Sequence, residues 1–400
     1  MNAAPDESPS PDRVRRAAIA ARRRLAEMDA GFVLGHAIAS RFVYLFGAIA
    51  TRVIVTGVTQ SRVTGDDVGA ILQPYLERIA LHGDGGWYLT IVRSGYDAQP
   101  FTAATTHNWA FFPLFPGLVS ILGGSVLAGV VLSNAAFLTA LFILRAETAA
   151  QHGRRAARWA VLLLAYWPFS HVFSLFRPES LLLLASLGAW ALARRDRWAL
   201  AWMAVAVATL ARPAGMFAAI LVLGEIARAR PRRLQLAVAV VPMVLPVIAL
   251  AAFSAYLGGL TGDVLAWAHA QSAWGRAATA PLSLISHYLA GGGSVIDAPY
   301  DITFLNAPAV ILAAIAGVWL IARRRLSEGL FVLGHGLLSP LTGGTLISSV
   351  RYTAVAFPLH VLLAEDRALR RFRLALLIAF AVTLALVGAW LVIGSRAVVA

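Results

Sequence analysis

The sequence predicts an all-α fold, a polytopic bundle of about ten or eleven transmembrane helices. Apolar residues make up 59% of the 400 residues and the mean hydropathy is +0.72, both well above the values of a typical soluble domain. The apolar residues stand in blocks, and a helix needs about 20 of them to cross the hydrocarbon core. The absence of cysteine excludes a disulfide framework and a cysteine nucleophile.

The net charge of +14 comes entirely from arginine, which supplies all 34 basic residues. In a soluble domain such a charge would indicate nucleic acid as the partner. Here the arginines stand in short clusters between apolar blocks, a pattern typical of loops on the cytoplasmic side of a membrane. We therefore expect membrane lipid, and no nucleic acid, as the partner of this charge.

A basic segment precedes the first apolar block. Arg13 to Arg24 carries six arginines on an Ala-rich background and predicts a helix that lies along the inner leaflet. We assign residues 1–31 to this cytoplasmic segment and residues 32–400 to one transmembrane domain.

The first span is expected within residues 32–58. Arg41 and Arg52 fall inside it, and charges at such depth usually snorkel to the interface or face the bundle interior or a cavity. A long polar segment, 59–109, follows, and we predict that it forms the first extracytoplasmic loop and carries the catalytic residue.

The most informative stretch of that loop is His82-Gly83-Asp84-Gly85-Gly86-Trp87-Tyr88-Leu89. Glycines around Asp84 allow tight turns and the close approach of a bulky ligand. Trp87 and Tyr88 offer flat faces of the kind that sugars and lipid headgroups pack against. An interfacial aromatic belt would explain the Trp and the Tyr, but not a carboxylate set among three glycines.

Further apolar blocks predict the remaining helices, with arginine-rich loops between them. The block at 110–123 is short and interrupted by proline, so we do not expect it to span the membrane. The others lie at 125–144, 159–175, 179–193, 198–211, 213–227, 234–257, 304–322, 329–341, 352–364 and 374–394.

The loops alternate between arginine clusters and single arginines. With a cytoplasmic N-terminus, every cluster falls in the cytoplasm and every single arginine outside, as the positive-inside rule requires. The clusters are Arg145/Arg154/Arg155/Arg158, Arg194/Arg195/Arg197, Arg228/Arg230/Arg232/Arg233, Arg323/Arg324/Arg325 and Arg367/Arg370/Arg371/Arg373. We therefore expect a multi-pass protein of the cell membrane with an extracytoplasmic active site.

The single arginines are Arg177, Arg212, Arg276 and Arg351, each beside proline, glycine or an aromatic residue. Any one of them is explained as an interfacial anchor. Four on one face of the membrane favour an anionic ligand such as a lipid phosphate, because guanidinium groups bind two phosphate oxygens at once.

The motifs together resemble those of a known family. Asp84-Gly85-Gly86-Trp87-Tyr88-Leu89 with Gly95-Tyr96, then Ala110-Phe111-Phe112-Pro113-Leu114-Phe115-Pro116, is similar to the PIG-V-like (GPI mannosyltransferase 2-like) mannosyltransferases of the GT-C superfamily. Further matches follow in family order at Pro178-Glu179-Ser180-Leu181, Arg212-Pro213-Ala214-Gly215, Gln271, Trp274-Gly275-Arg276, Arg351-Tyr352 and Phe357-Pro358-Leu359. Two positions depart from the family: Gly83 stands where Trp is usual, and Arg177-Pro178 where Tyr-Thr is usual.

The resemblance implies transfer of mannose, with inversion, from a polyprenyl-phosphate-mannose donor to an acceptor hydroxyl outside the cytoplasm. We expect Asp84 to act as general base, because an acceptor hydroxyl is a poor nucleophile without one. The expected substrate-binding residues are Trp87, Tyr88, His107, Arg177, Glu179, Arg212, Arg276, Arg351 and Tyr352. No cofactor is expected, and the sequence leaves a divalent metal open.

Two readings of another class stand beside this one. A transporter or flippase for an anionic or glycosylated lipid would use the same arginines as a pathway, but it gives Asp84 no role. A scaffold within a larger membrane complex is the other. The acceptor, whether glycolipid, polysaccharide or protein, stays open, as does the oligomeric state.

Overall fold

The computed structural model describes residues 11–59, 76–276, 303–343, 346 and 348–394. Within these ranges all regular secondary structure is helical, as predicted. The α-helices are α1 Pro11–Thr59, α2 Gly85–Ser94, α3 Leu114–Ile121, α4 Val126–Ala165, α5 Glu179–Ala193, α6 Trp198–Ala211, α7 Ala218–Ala229, α8 Arg233–Val240, α9 Val244–Thr261, α10 Ala266–His269, α11 Thr303–Ala322, α12 Leu326–Gly343, α13 Ser349–Val355, α14 Phe357–Glu365 and α15 Arg373–Gly394. Short 3₁₀ turns lie at Asn108–Ala110, Ser170–Ser174, Pro213–Phe217, Val241–Met243, Ala270–Trp274 and Arg370–Phe372.

The apolar character of these helices is that of a membrane protein. Among the described residues, four stretches are long and apolar enough to cross a bilayer: Asp29–Ile54, Val126–Ala165, Arg233–Thr261 and Arg370–Leu391. Shorter apolar helices are Glu179–Ala193, Trp198–Ala211, Asn306–Ala322 and Leu326–Leu338. Both sets coincide with predicted apolar blocks.

The N-terminal part differs from the expected surface helix followed by a separate span. Residues 11–59 form the single 49-residue helix α1. Ala, Arg and Leu are strong helix formers, and no proline lies between position 11 and the end of the helix, so nothing in the sequence stops it.

Arg41 lies within α1 and faces the protein interior, as expected for a charge at that depth. Its guanidinium donates to the carbonyl oxygens of Ser170 (2.6 Å) and Ala165 (3.1 Å) and stands 4.8 Å from the centre of the Phe137 ring. These contacts replace the hydration that the charge loses in an apolar environment.

The predicted span at 159–175 is only partly helical. The backbone of α4 leaves the helical region at Gly153 (φ 81°, ψ 167°), and the helix ends at Ala165. Pro168 follows, and the residue before a proline is disfavoured in the α region. The chain then continues as the buried 3₁₀ turn Ser170–Ser174 rather than as a full span.

The two classes of arginine lie at opposite ends of the helices. Arg194 follows α5, and its Nε lies 3.1 Å from Oε2 of Glu147. Arg323 follows α11, and its Nη2 lies 2.5 Å from Oδ2 of Asp366. Arg177 instead precedes α5, and Arg212 directly follows α6. Since α5 has 15 residues at about 1.5 Å each, roughly 22 Å separate its two ends. The clustered arginines therefore gather at one end of this part of the bundle and the single ones at the other.

Candidate active site

Charged residues from four distant segments meet at the end of the bundle that carries the single arginines. Arg351 donates through Nη1 to Oδ2 of Asp84, and Nη1 of Arg212 lies 3.9 Å from the same oxygen. Arg212 also donates to Oε1 of Glu179 at 2.6 Å, and Nη1 of Arg351 lies 3.7 Å from that atom. Asp84, Glu179, Arg212 and Arg351 thus form one ion-pair cluster.

Helix ends place these side chains. Asp84 is the N-cap of α2 with helical backbone angles (φ −66°, ψ −13°), and its carboxylate makes no capping hydrogen bond to the helix. It is therefore free to turn towards the arginines. Glu179 is the first residue of α5, after Pro178, and Arg212 is the extended C-cap of α6, before Pro213. Prolines at both positions fix where each helix begins or ends.

Arg177 supports the turn that carries Asp84. Its Nη2 donates to the carbonyl oxygen of His82, and the guanidinium lies where a Cβ atom at position 83 would stand. Gly83 has a φ of 65°, in the left-handed region that glycine adopts without penalty. The charge of Arg177 is thereby held beside the cluster without a direct bond to Asp84.

Most of the cluster is buried, although the side chain of Asp84 is 24% exposed, and the cluster carries an excess of positive charge. Glu179 is 1% exposed, Arg177 6% and Arg351 7%. Three guanidinium groups (Arg177, Arg212, Arg351) face two carboxylates (Asp84, Glu179), which leaves a formal excess of one positive charge. An isolated charge in such surroundings is costly, so a cluster of this kind suits an anion that supplies the missing negative charge.

The carboxylate of Asp84 is strongly stabilised in its ionised form. Burial acts to raise the pKa of Asp84, but the guanidinium groups of Arg351, Arg177 and Arg212 outweigh it and hold the pKa well below its usual range. Asp84 is therefore a weak base while these arginines have no other anion to bind.

Two tyrosines line the same site. The hydroxyl oxygen of Tyr352 accepts a hydrogen bond from Nη2 of Arg212 at 3.4 Å. The centre of the Tyr352 ring lies 5.4 Å from Cζ of Arg212. Tyr88 is 1% exposed and packs edge-on against Phe111 at 5.2 Å. Both aromatic faces border the cavity described next.

A cavity of about 700 Å³ opens beside the cluster. Its volume is within the range, about 300–1,000 Å³, that pockets for small ligands occupy. The polar and charged part of its lining includes Arg212, Tyr352, Tyr88 and Arg276. Nη1 of Arg276 also lies 3.3 Å from Oε1 of Gln271. The lining further includes Phe101, Phe112, Trp267, His269 and Ser272.

The structure does not bring Trp87 and His107 into this cluster. Trp87 stacks on Phe111 at 5.8 Å and packs edge-on against Trp274 at 5.2 Å. His107 bonds through Nδ1 to Oδ2 of Asp97 at 2.8 Å. Neither residue lines the cavity beside Arg212. The other expected site residues either belong to the cluster, border the cavity or, like Arg177, support the cluster.

One pair of polar side chains at the cavity wall, His269 and Asp263, was not predicted from the sequence. Nδ1 of His269 lies 2.7 Å from Oδ2 of Asp263. No recognised motif pairs an Asp with a His six residues later. The pair is therefore visible only in the structure, where the two side chains are in contact. Among the described residues, no group of three or more His, Asp or Glu side chains lies close enough together to hold a metal ion.

The chain is similar to known proteins in its fold only. No family model matches the sequence, and no curated protein matches it. The chain is similar in fold to the crystal structure of ArnT from Cupriavidus metallidurans bound to undecaprenyl phosphate. The TM-score is 0.50 at 14% identity, over 92% of this chain and 78% of that one.

Two structures of the Archaeoglobus fulgidus oligosaccharyltransferase also match. One is tethered with an acceptor peptide (TM-score 0.41, 16% identity, 80% of this chain and 50% of that one) and the other is the apo form (0.44, 14%, 90% and 55%). The similarity to ArnT confirms the predicted polytopic helical membrane fold.

Proposed function

We propose that the chain is an integral membrane glycosyltransferase that transfers mannose from polyprenyl-phosphate-mannose to an extracytoplasmic acceptor hydroxyl, with inversion. The observation that carries the proposal is the convergence of Asp84 with Arg212 and Arg351 beside a cavity of about 700 Å³. A general base and a binding site for the leaving phosphate are the two parts that such a reaction requires.

The arginines would hold the phosphate of the donor. Arg212 and Arg351 already bind carboxylate oxygens, and a phosphate offers the same planar guanidinium groups more oxygens and more charge. The formal excess of positive charge in the cluster favours the anion further. The fold relative from Cupriavidus metallidurans was solved with undecaprenyl phosphate bound, which supports a polyprenyl phosphate as the carrier.

Donor binding would also prepare the base. A phosphate that takes over the guanidinium of Arg351 releases the carboxylate of Asp84, and the pKa of Asp84 rises towards its ordinary value. Asp84 then accepts the proton of the acceptor hydroxyl as the oxygen attacks C1 of the sugar. The bond between C1 and the phosphate oxygen breaks, and its electron pair leaves on the phosphate, which the arginines stabilise.

Attack by the acceptor oxygen on the face opposite the phosphate inverts the configuration at C1. A single carboxylate acting as base suffices for this, whereas a retaining reaction needs a nucleophile that forms a covalent sugar intermediate.

The site would face the extracytoplasmic side. The clustered arginines gather at the opposite end of helices such as α5, which carries Arg194 at its far end. The positive-inside rule assigns the clustered end to the cytoplasm and hence the Asp84 end to the outside.

The proposal is tested by transfer from radiolabelled polyprenyl-phosphate mannose in vesicles that contain the purified chain. We expect label to move from the donor into an acceptor, with release of polyprenyl phosphate in equal amount. Movement of the intact donor between leaflets without release of polyprenyl phosphate would instead support the flippase reading and contradict the transferase.

A further inference from the structure

One part of the cavity wall, formed by Phe101, Phe112, Trp267 and His269, contains a histidine with a fixed orientation. Nδ1 of His269 lies 2.7 Å from Oδ2 of Asp263. An ionised carboxylate only accepts hydrogen bonds, so Nδ1 carries a proton, and in the neutral imidazole Nε2 then keeps its lone pair. Within the described part of the chain Nε2 of His269 makes no hydrogen bond, and its side chain is 54% exposed. His269 therefore offers one oriented acceptor at the cavity wall.

The turn that carries Asp263 is itself held in place. Oδ1 of Asp263 accepts from the backbone N–H of Leu265 at 2.9 Å, and its own N–H donates to Oγ1 of Thr261 at 3.1 Å. The carbonyl of Thr261 accepts from the N–H of Phe101 at 2.9 Å, which ties this turn to the loop that follows α2. A binding residue is effective when its supporting contacts fix its rotamer in this way.

Aromatic rings border the same part of the cavity. Phe101 lies edge-on to His269 with ring centres 5.9 Å apart, and Phe112 lies edge-on to Trp267 at 5.6 Å. Nε1 of Trp267 donates to Oγ of Ser254 at 2.9 Å, which fixes the indole. Apolar faces beside a few fixed polar groups suit a ligand that has both C–H faces and hydroxyls.

We propose that this side of the cavity binds a carbohydrate acceptor, and that His269, positioned by Asp263, accepts a hydrogen bond from one of its hydroxyls. The inference rests on the proposed transferase function and names its acceptor class. A peptide acceptor is the alternative that the test below distinguishes.

The test uses octyl α-mannoside as a soluble acceptor and compares His269→Ala, His269→Gln and Asp263→Asn with the wild type. We expect His269→Ala to raise the KM for octyl α-mannoside roughly tenfold, the size of one lost hydrogen bond, with kcat and the donor KM changed less than about twofold. His269→Gln should recover part of the loss, since its amide oxygen also accepts. Asp263→Asn should act in the same direction, because it no longer orients the ring.

His152→Ala is the matched control. Nδ1 of His152 lies 2.7 Å from Oε2 of Glu365, so it makes the same kind of pair, but it lies outside the residues that line the cavity. We expect its KM for octyl α-mannoside to equal that of the wild type. An unchanged acceptor KM in both His269 variants, or a wild type that uses a serine-containing peptide in place of the glycoside, would overturn the inference.

A binding measurement separates this inference from the reaction itself. Titration calorimetry of octyl α-mannoside into the wild type and His269→Ala needs no transfer. If the wild type transfers no sugar but binds the glycoside about tenfold more tightly than the variant, the transferase proposal fails and the carbohydrate site stands. If transfer occurs and both proteins bind the glycoside equally, the carbohydrate site fails and the transferase proposal stands.

Discussion

The guanidinium of Arg177 occupies the space that a side chain at Gly83 would need. These are the two places where the sequence departs from the mannosyltransferase motifs that it resembles, and in the structure they are in contact. A side chain at position 83 would therefore have to displace the guanidinium of Arg177 from its present place. The same arginine donates to the carbonyl of His82, so it takes part in holding the turn before Asp84.

This contact predicts coupling between the two positions. Gly83→Ala places a Cβ against the Arg177 guanidinium and forces a non-glycine residue to a φ of 65°, which costs about 1–2 kcal/mol. Arg177→Ala removes the steric part of this cost. We expect the double variant to be more stable than the sum of the single effects predicts, by about 0.5–3 kcal/mol, a range typical of residues in contact. Thermal unfolding of all four proteins in detergent measures this coupling, and strictly additive changes would contradict it.

The positions of the helices were predictable because particular residue types stand at their ends. Arginines, prolines and glycines bound the apolar blocks, and the described helices begin and end near them. The convergence of Arg212 and Arg351 on Asp84 is a property of helix packing, and positions 84 and 351 are 267 residues apart. The order of the motifs and the positive-inside rule predict that these residues lie on one face of the membrane. Neither pattern gives the distances between their side chains.

Trp87 shows why the site could be predicted only in part. Consecutive residues of an α-helix point about 100° apart, so Trp87 and Tyr88 of α2 face different directions. Tyr88 lines the cavity, and Trp87 packs against Phe111 and Trp274 instead. In the sequence this segment is polar and predicts a loop, in which no such rule applies.

The membrane orientation is tested with single cysteines, which the chain naturally lacks. Ala104 is exposed in the loop after α2, and Arg324 is exposed between α11 and α12. We expect an impermeant thiol reagent to label Ala104→Cys in intact cells and Arg324→Cys only after permeabilisation. Labelling of Arg324→Cys but not Ala104→Cys in intact cells would invert the proposed orientation.

Donor recognition is tested at Arg212 and Arg351. Replacement of either by Gln removes a charge-assisted hydrogen bond to the phosphate, and such bonds contribute about 1.5–3 kcal/mol. We expect kcat/KM for the donor to fall roughly 10- to 100-fold. Arg351→Lys should recover little, because an ammonium lacks the planar fork that binds two oxygens.

The control for donor recognition is Arg93→Gln, which removes an exposed arginine from the last turn of α2. It should leave donor kinetics unchanged. If Arg212→Gln and Arg351→Gln also leave them unchanged, these arginines serve as structural or interfacial anchors only.

The ion pairs of Asp84 predict a dependence of stability on pH. The pKa of Asp84 is lowered, because Arg351, Arg177 and Arg212 outweigh the effect of burial. A carboxylate with a lowered pKa in the folded state contributes stability that is fully present above its pKa in the unfolded chain, about 3.9, and is lost as the pH falls further. We expect the wild type to melt above Asp84→Asn by a constant margin between about pH 7 and pH 5, and by a smaller margin below about pH 4. A margin that already disappears near pH 6 would show that Asp84 is not held ionised by these arginines.

The role of Asp84 as general base is tested by Asp84→Asn. The substitution keeps the shape of the side chain but removes its ability to take the acceptor proton. General bases typically contribute about 10²–10⁴-fold, so we expect kcat for transfer of mannose to fall by that factor. Donor affinity should stay equal or increase, because Asp84 competes with the donor phosphate for Arg351. A purely structural role for Asp84 would lower donor affinity as well, so the two measurements together identify the base.

The choice of control for this experiment follows from the structure. Asp97 lies in the same loop but bonds to His107 at 2.8 Å, so Asp97→Asn would also disturb the loop. Glu77 is exposed and lies just before the Asp84 turn, and Glu77→Gln therefore removes a nearby carboxylate without a comparable loss of contacts. Near wild-type transfer by Asp84→Asn, or an equal loss in Glu77→Gln, would rule out Asp84 as the base. A loss of less than about tenfold in Asp84→Asn would indicate that a second carboxylate also acts as base.

Glu179 is the nearest candidate for this second carboxylate, because it contacts the same two arginines. In that case, Glu179→Gln introduced into the Asp84→Asn variant would remove the remaining activity.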